Sequence, residues 1–76
     1  MKAVLHFNKE DNGKIKRTIK VFDASKIEGI YPSTHSTVNV TFTDDEFLRG
    51  VDCTHVVFFE DNVDITNYKK YVEGER

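Results

Sequence analysis

The sequence contains no tryptophan, one cysteine, one proline and one methionine among its 76 residues. A lone cysteine, Cys53, excludes an internal disulfide and indicates a reducing compartment. No apolar run approaches the roughly 18 residues that a membrane-spanning helix needs, and the first residues become polar before the core of a signal peptide can form. These absences predict a cytoplasmic protein that does not enter a membrane and that is stabilised by packing alone.

Apolar residues that favour helices are also scarce. Alanine and leucine together number 4, whereas valine, isoleucine and threonine number 21 and phenylalanine and tyrosine number 9. Because β-branched and aromatic side chains fit a pleated, half-buried surface, this composition predicts a mostly β protein with minor α content. The length predicts a single small domain over 1–76, with no room for a cleft of several hundred Å³ once the core is built.

The first part of the chain predicts a β-hairpin. The residues before Asn12-Gly13 alternate between apolar and polar, and Asn-Gly is the pair that most easily adopts the positive φ angles of a tight turn. Residues 14–22 alternate again, with Arg17 as the one polar residue on the apolar face. We therefore expect a hairpin over 2–22.

Shorter elements are predicted to follow the hairpin. The patterns favour strands over 26–31, 38–43, 51–60 and 63–65 and a short helix over 66–73. The apolar run Val56-Val57-Phe58-Phe59 indicates that 51–60 is the central strand.

Two segments leave alternatives open. Thr43-Asp44-Asp45-Glu46 matches a capping box, so either a short helix or a loop can follow it, and a strand through Tyr68 is the alternative to the last helix. The predicted architecture is a small antiparallel sheet or barrel of five to six short strands with one or two short helices.

Cys53-Thr54-His55 is a candidate site for nucleophilic catalysis or metal binding. A thiol and an imidazole at i and i+2 lie on the same face of a strand. Nucleophilic catalysis also needs an oxyanion pocket and a group that orients the histidine, and zinc needs two more ligands. The simpler interpretation is a core cysteine and a histidine at the sheet margin. We predict no catalytic residue, no metal and no cofactor.

Charge is distributed unevenly along the chain. The net charge is -2, yet residues 1–26 carry +4 and residues 27–68 carry -7. Three lysines, Lys14, Lys16 and Lys20, alternate on one face of the second strand and predict a basic outer face of the hairpin. Small barrels bind single-stranded nucleic acid through such a face together with exposed aromatic rings. Few aromatic residues accompany these lysines, so protection of an edge strand explains them more simply.

Tyrosines and acidic turns point to a protein-binding surface, because tyrosine combines a large contact area with a polar tip. The candidate residues are Tyr31, Asp44, Asp45, Glu46, Tyr68 and Tyr71. The leading hypothesis is a small non-enzymatic interaction module, a phage or bacterial inhibitor or regulator that binds a larger host protein through a sheet edge or this patch. The alternatives are a single-stranded nucleic-acid-binding protein that uses the Lys14/Lys16/Lys20 face and a homodimer formed by edge strands.

Overall fold

In a computed structural model of the chain, which describes residues 1–43 and 50–74, strands predominate. The elements in chain order are β1 (Lys2–Asp11), β2 (Lys14–Asp23), a 3₁₀ turn (Ala24–Lys26), β3 (Ile27–Pro32), β4 (Val38–Phe42), β5 (Val51–Cys53), β6 (His55–Phe59) and α1 (Thr66–Glu73). The mostly β class and the helix over 66–73 are confirmed. The predicted strand over 63–65 is wrong, because these residues form an irregular segment before α1. No helix in the described ranges is long and apolar enough to span a bilayer.

β1 and β2 form the predicted hairpin. Their pairing extends to Asp11 opposite Lys14, directly beside the turn. Asn12 has a φ of 51° and Gly13 a φ of 78°. Positive φ at both turn residues matches the twist of a two-residue hairpin turn, so the Asn-Gly pair sets the register of the strands.

The strands form two antiparallel sheets of three strands each. The order is β2-β1-β6 in the first sheet and β3-β4-β5 in the second. β1 is therefore a central strand and β6 an edge strand, so the prediction that 51–60 forms the central strand is wrong. The described strands form two separate sheets and not one closed barrel.

The chain crosses between the two sheets at Thr54. The amide and the hydroxyl of Thr54 both donate to the carbonyl oxygen of His6, at 2.7 Å and 2.9 Å. Thr54 thus forms a corner between β5 and β6, and the predicted strand over 51–60 is two strands in different sheets. Periodicity does not reveal such a corner, since threonine fits a continuous strand well.

A hydrophobic core lies between the sheets. Its buried members are Ala3, Leu5, Val40, Phe42 and Cys53. Because successive side chains of a strand point to opposite faces, Val4 and His6 lie on the other face of β1, where they are also buried. α1 covers this second face, and the ring of its Tyr68 contacts His6. The molecule therefore has three layers, with β1 in the middle.

Candidate functional site

A cleft of about 640 Å³ lies between α1 and the helix-covered face of the first sheet. Its lining residues are His6, Phe7, Asn8, Arg17, Thr54, His55, Tyr68, Tyr71 and Val72. The short length of the chain limits a pocket enclosed in the interior of the protein, and this cleft is not enclosed. The cleft opens at the surface between α1 and the first sheet, so it occupies none of the volume of the hydrophobic core.

Two histidines stack within this cleft. His6 and His55 lie directly opposite each other on β1 and β6, with ring centroids 4.0 Å apart and ring planes inclined by 16°. His6 is only 5% exposed, whereas His55 is exposed. Burial lowers the pKa of His6, and the nearby His55 imidazole lowers it further. His6 is therefore neutral at pH 7.

Tyr68 connects α1 to the two stacked histidines. Its hydroxyl forms a 2.6 Å hydrogen bond with Nε2 of His6, which a neutral imidazole can make in either tautomer. Burial raises the pKa of Tyr68, so the hydroxyl keeps its proton. The polar tip of Tyr68, which the sequence assigned to a partner surface, thus holds the helix in place.

Side-chain hydrogen bonds are present at both ends of α1. Before the helix, Oδ1 of Asp64 accepts hydrogen bonds from the amide and the hydroxyl of Thr66, at 2.9 Å and 2.7 Å, and these bonds lower the pKa of Asp64. In the last turn, Oε2 of Glu73 accepts a 3.4 Å hydrogen bond from the amide of Ile19 on β2. One wall of the cleft is therefore a helix that is joined to the first sheet by Tyr68 in its middle and by Glu73 at its end.

The other wall is the helix-covered face of β2, and it carries exposed apolar surface. Arg17 lines both the first cleft and an adjoining groove of about 680 Å³. In this groove Ile15, 71% exposed, lies across from Tyr71, 84% exposed. The two apolar side chains reach the groove from different elements, so neither buries the other.

The structure separates the residues predicted to bind a partner. Tyr68 and Tyr71 share the cleft, as their helical spacing implies. Tyr31 lies on β3 in the second sheet, where its ring packs over Gly29. Three further predicted residues, Asp44, Asp45 and Glu46, lie outside the described residues.

The predicted lysines share one face of β2, but it is not the outer face. Lys20 lies opposite Leu5, whose side chain is in the core, and its Nζ is 5.8 Å from the centroid of the Phe7 ring. This distance is typical of a cation–π contact. Lys16 lies opposite Lys9 near the tip of the hairpin. The lysines are therefore divided between the core margin and the tip.

Cys53 and His55, the pair considered for catalysis or metal binding and not predicted to serve either, do not lie on one face. The corner at Thr54 turns Cys53 into the core, where it is 2% exposed, and leaves His55 in the cleft. Burial raises the pKa of the Cys53 thiol and so disfavours the reactive thiolate. Among the described residues, no third histidine, cysteine or carboxylate joins His6 and His55 into a metal-binding group.

The substitution Tyr68→Phe tests the anchor of α1. Loss of the bond to His6 should lower the free energy of unfolding by about 1 kcal/mol, the net contribution of one such hydrogen bond. Urea denaturation followed by circular dichroism measures this change. Tyr71→Phe is the matched control, since Tyr71 is 84% exposed. Equal stability of both variants would show that the bond does not hold the helix.

Comparison with protein-family models, with curated proteins and with solved structures finds no match to this chain. The features of this chain that bear on its function are therefore the cleft and the adjoining groove.

Proposed function

We propose that this protein is a small non-enzymatic interaction module that binds a larger protein through the groove between α1 and β2. The supporting observation is the exposure of Tyr71 and Ile15, 84% and 71%, on the two walls of one groove. Exposed apolar side chains that cluster on one surface favour a partner site, and tyrosine is enriched among the residues that dominate binding energy.

The fixed position of α1 supports this proposal. The helix is held by the Tyr68–His6 bond and by the contact of Glu73 with the amide of Ile19. A surface that is ordered before binding loses less conformational entropy when the partner docks. A module with such a surface would act as an inhibitor or regulator of its target, by covering part of it.

The edge of β2 between its turn and the Ile19–Glu73 contact offers the same partner a second contact. β2 lies at the edge of its sheet. A two-residue turn joins Asp11 to Lys14, so these two residues form a hydrogen-bonded pair. Inward and outward amides alternate along an edge strand, so the backbone amides of Ile15 and Arg17 point outward, away from β1. An extended segment of the partner could pair with these groups while its side chains enter the groove.

The first test measures binding of a captured partner. We expect a lysate of the source cells to yield one protein that stays bound at high salt. Tyr71→Ala and Ile15→Ala should each weaken its binding about tenfold, the effect of removing an interface anchor worth somewhat more than 1 kcal/mol. Ile30→Ala is the matched control, since Ile30 is 40% exposed in the second sheet.

The variants also define the outcomes that contradict the proposal. If folded Tyr71→Ala and Ile15→Ala proteins bind as tightly as the original, the groove is not the interface. A loss of binding in Tyr31→Ala would move the interface to the second sheet.

A second candidate, binding of single-stranded nucleic acid, is favoured by the position of Lys16 opposite Lys9 at the hairpin tip. Phosphate contacts weaken steeply as salt rises, unlike an apolar interface. Nucleic acid retained from the lysate only at low salt, and lost in Lys16→Gln, would favour this candidate over a protein partner.

A further inference from the structure

The first cleft differs in charge from the rest of the chain. The chain contains 13 acidic residues and has a net charge of -2, yet no acidic residue lines this cleft. The cleft contains Arg17 together with two histidines. Among residues 1–43 and 50–74, no carboxylate forms an ion pair with Arg17. Asp11 and Glu73 in the adjoining groove form no ion pair with Arg17, so its guanidinium is available to an anion from another molecule.

We propose that this cleft binds an acidic segment of the protein partner, with a carboxylate held by Arg17 and a neighbouring apolar side chain packed on Tyr71. This inference rests on the proposed function and adds the chemistry of the partner. The planar guanidinium of arginine matches a carboxylate through two parallel hydrogen bonds. Asn8 lies opposite Arg17 on β1 and supplies a further amide donor.

The two histidines form a fixed wall of the cleft. The His55 ring is held by its stacking on His6 and by a 3.2 Å contact between its Nδ1 and the hydroxyl of Thr54. The Thr54 hydroxyl already donates to the carbonyl of His6, so in this contact Nδ1–H of His55 donates to it. With the proton on Nδ1, Nε2 of the neutral ring is an acceptor, so the donors available to a carboxylate are the guanidinium of Arg17 and the side-chain amide of Asn8.

The adjoining groove favours a peptide over a nucleic acid. Beyond Arg17 this groove is lined by Asp11 and Glu73 as well as by Ile15 and Tyr71. Nucleic acid carries a phosphate at every nucleotide, so a strand that filled both the cleft and the groove would bring several negative charges next to these two carboxylates. A peptide can place one acidic side chain at Arg17 and an apolar side chain in the groove.

The test is a titration of the ¹⁵N-labelled full chain, followed by amide chemical shifts. The probe is a blocked hexapeptide with a single glutamate next to a phenylalanine among neutral polar residues, and the matched probe replaces that glutamate with glutamine. We expect the glutamate peptide to shift the amides of Asn8, Arg17, His55 and Tyr71. The glutamine peptide should bind about tenfold more weakly, because a charge-assisted hydrogen bond is lost.

Two variants separate a specific contact from a general effect of charge. Arg17→Gln should weaken the glutamate peptide about tenfold. Lys9→Gln removes the same charge from the opposite face of the same hairpin, and should leave the affinity within about twofold. Equal losses in the two variants, or equal affinity for the two peptides, would overturn the proposal. Shifts of the same amides by oligothymidylate and not by the glutamate peptide would overturn it in favour of nucleic acid.

The captured partner separates this inference from the proposed function. If Tyr71→Ala weakens the partner and Arg17→Gln does not, the groove is an interface but does not select acidic segments. If neither substitution weakens it, both proposals fail. If both substitutions weaken binding of the partner, and the effect of Arg17→Gln disappears at high salt, the proposed function and the inference about acidic segments are both supported.

Discussion

Replacing Leu5 with alanine is expected to lower the free energy of unfolding by about 2–5 kcal/mol. Leu5 is fully buried on the central strand of the first sheet. The loss combines the transfer of the removed methyl groups with the cavity that remains between the sheets. Because a chain of 76 residues has a total stability of roughly 4–11 kcal/mol, this single change removes a large part of it.

Urea denaturation of the Leu5→Ala variant measures this effect. Val21→Ala is the control on the same hairpin, since Val21 is 45% exposed, and it should cost less than about 1 kcal/mol. If Leu5→Ala does not fold, Leu5→Met, which roughly conserves volume, should fold and cost less than about 1.5 kcal/mol. A Leu5→Ala protein as stable as the Val21→Ala protein would show that Leu5 is not a core residue.

The hairpin and the helix could be predicted because their signals are local. Asn12-Gly13 supplies the φ angles of the turn, and that turn fixes the register of two long strands. The division into two sheets depends on Thr54, where backbone and side chain both bond to His6. That partner lies far away in sequence, and nothing in the periodicity around Thr54 identifies it.

The candidate site could be predicted only in part. The spacing of Tyr68 and Tyr71 places both on one side of a helix, and both line the cleft. Arg17 interrupts the apolar face of its strand, and residues that break a local pattern are often functional. The stacking of His6 on His55 depends on the pairing of β1 with β6. The alternation of apolar and polar residues within one β-strand does not show which other strand it pairs with.

Acidification from pH 7 is expected to destabilise the fold through His6. Its pKa is lowered from the ordinary value of 6.5, so between the folded pKa and 6.5 the unfolded chain binds more protons. The stabilisation is therefore complete above about pH 6.5 and is lost as the pH falls through the folded pKa, by at most about 1.4 kcal/mol per pH unit. His55, Arg17 and Tyr68 face this ring in the cleft, and none of them carries a negative charge to offset a buried imidazolium.

The histidine contribution can be separated from that of the carboxylates. Asp23 and Asp64, with pKa values lowered from 3.8 by their hydrogen bonds, stabilise the fold above that pH and lose this effect only below it. Urea denaturation between pH 7 and pH 5 therefore reports mainly on His6. The variant His6→Gln can still bond to Tyr68 but does not titrate, so its stability should change less over this range. An unchanged pH dependence in His6→Gln would show that the buried imidazole is not the titrating group, and that the layer between α1 and the sheet tolerates its charge.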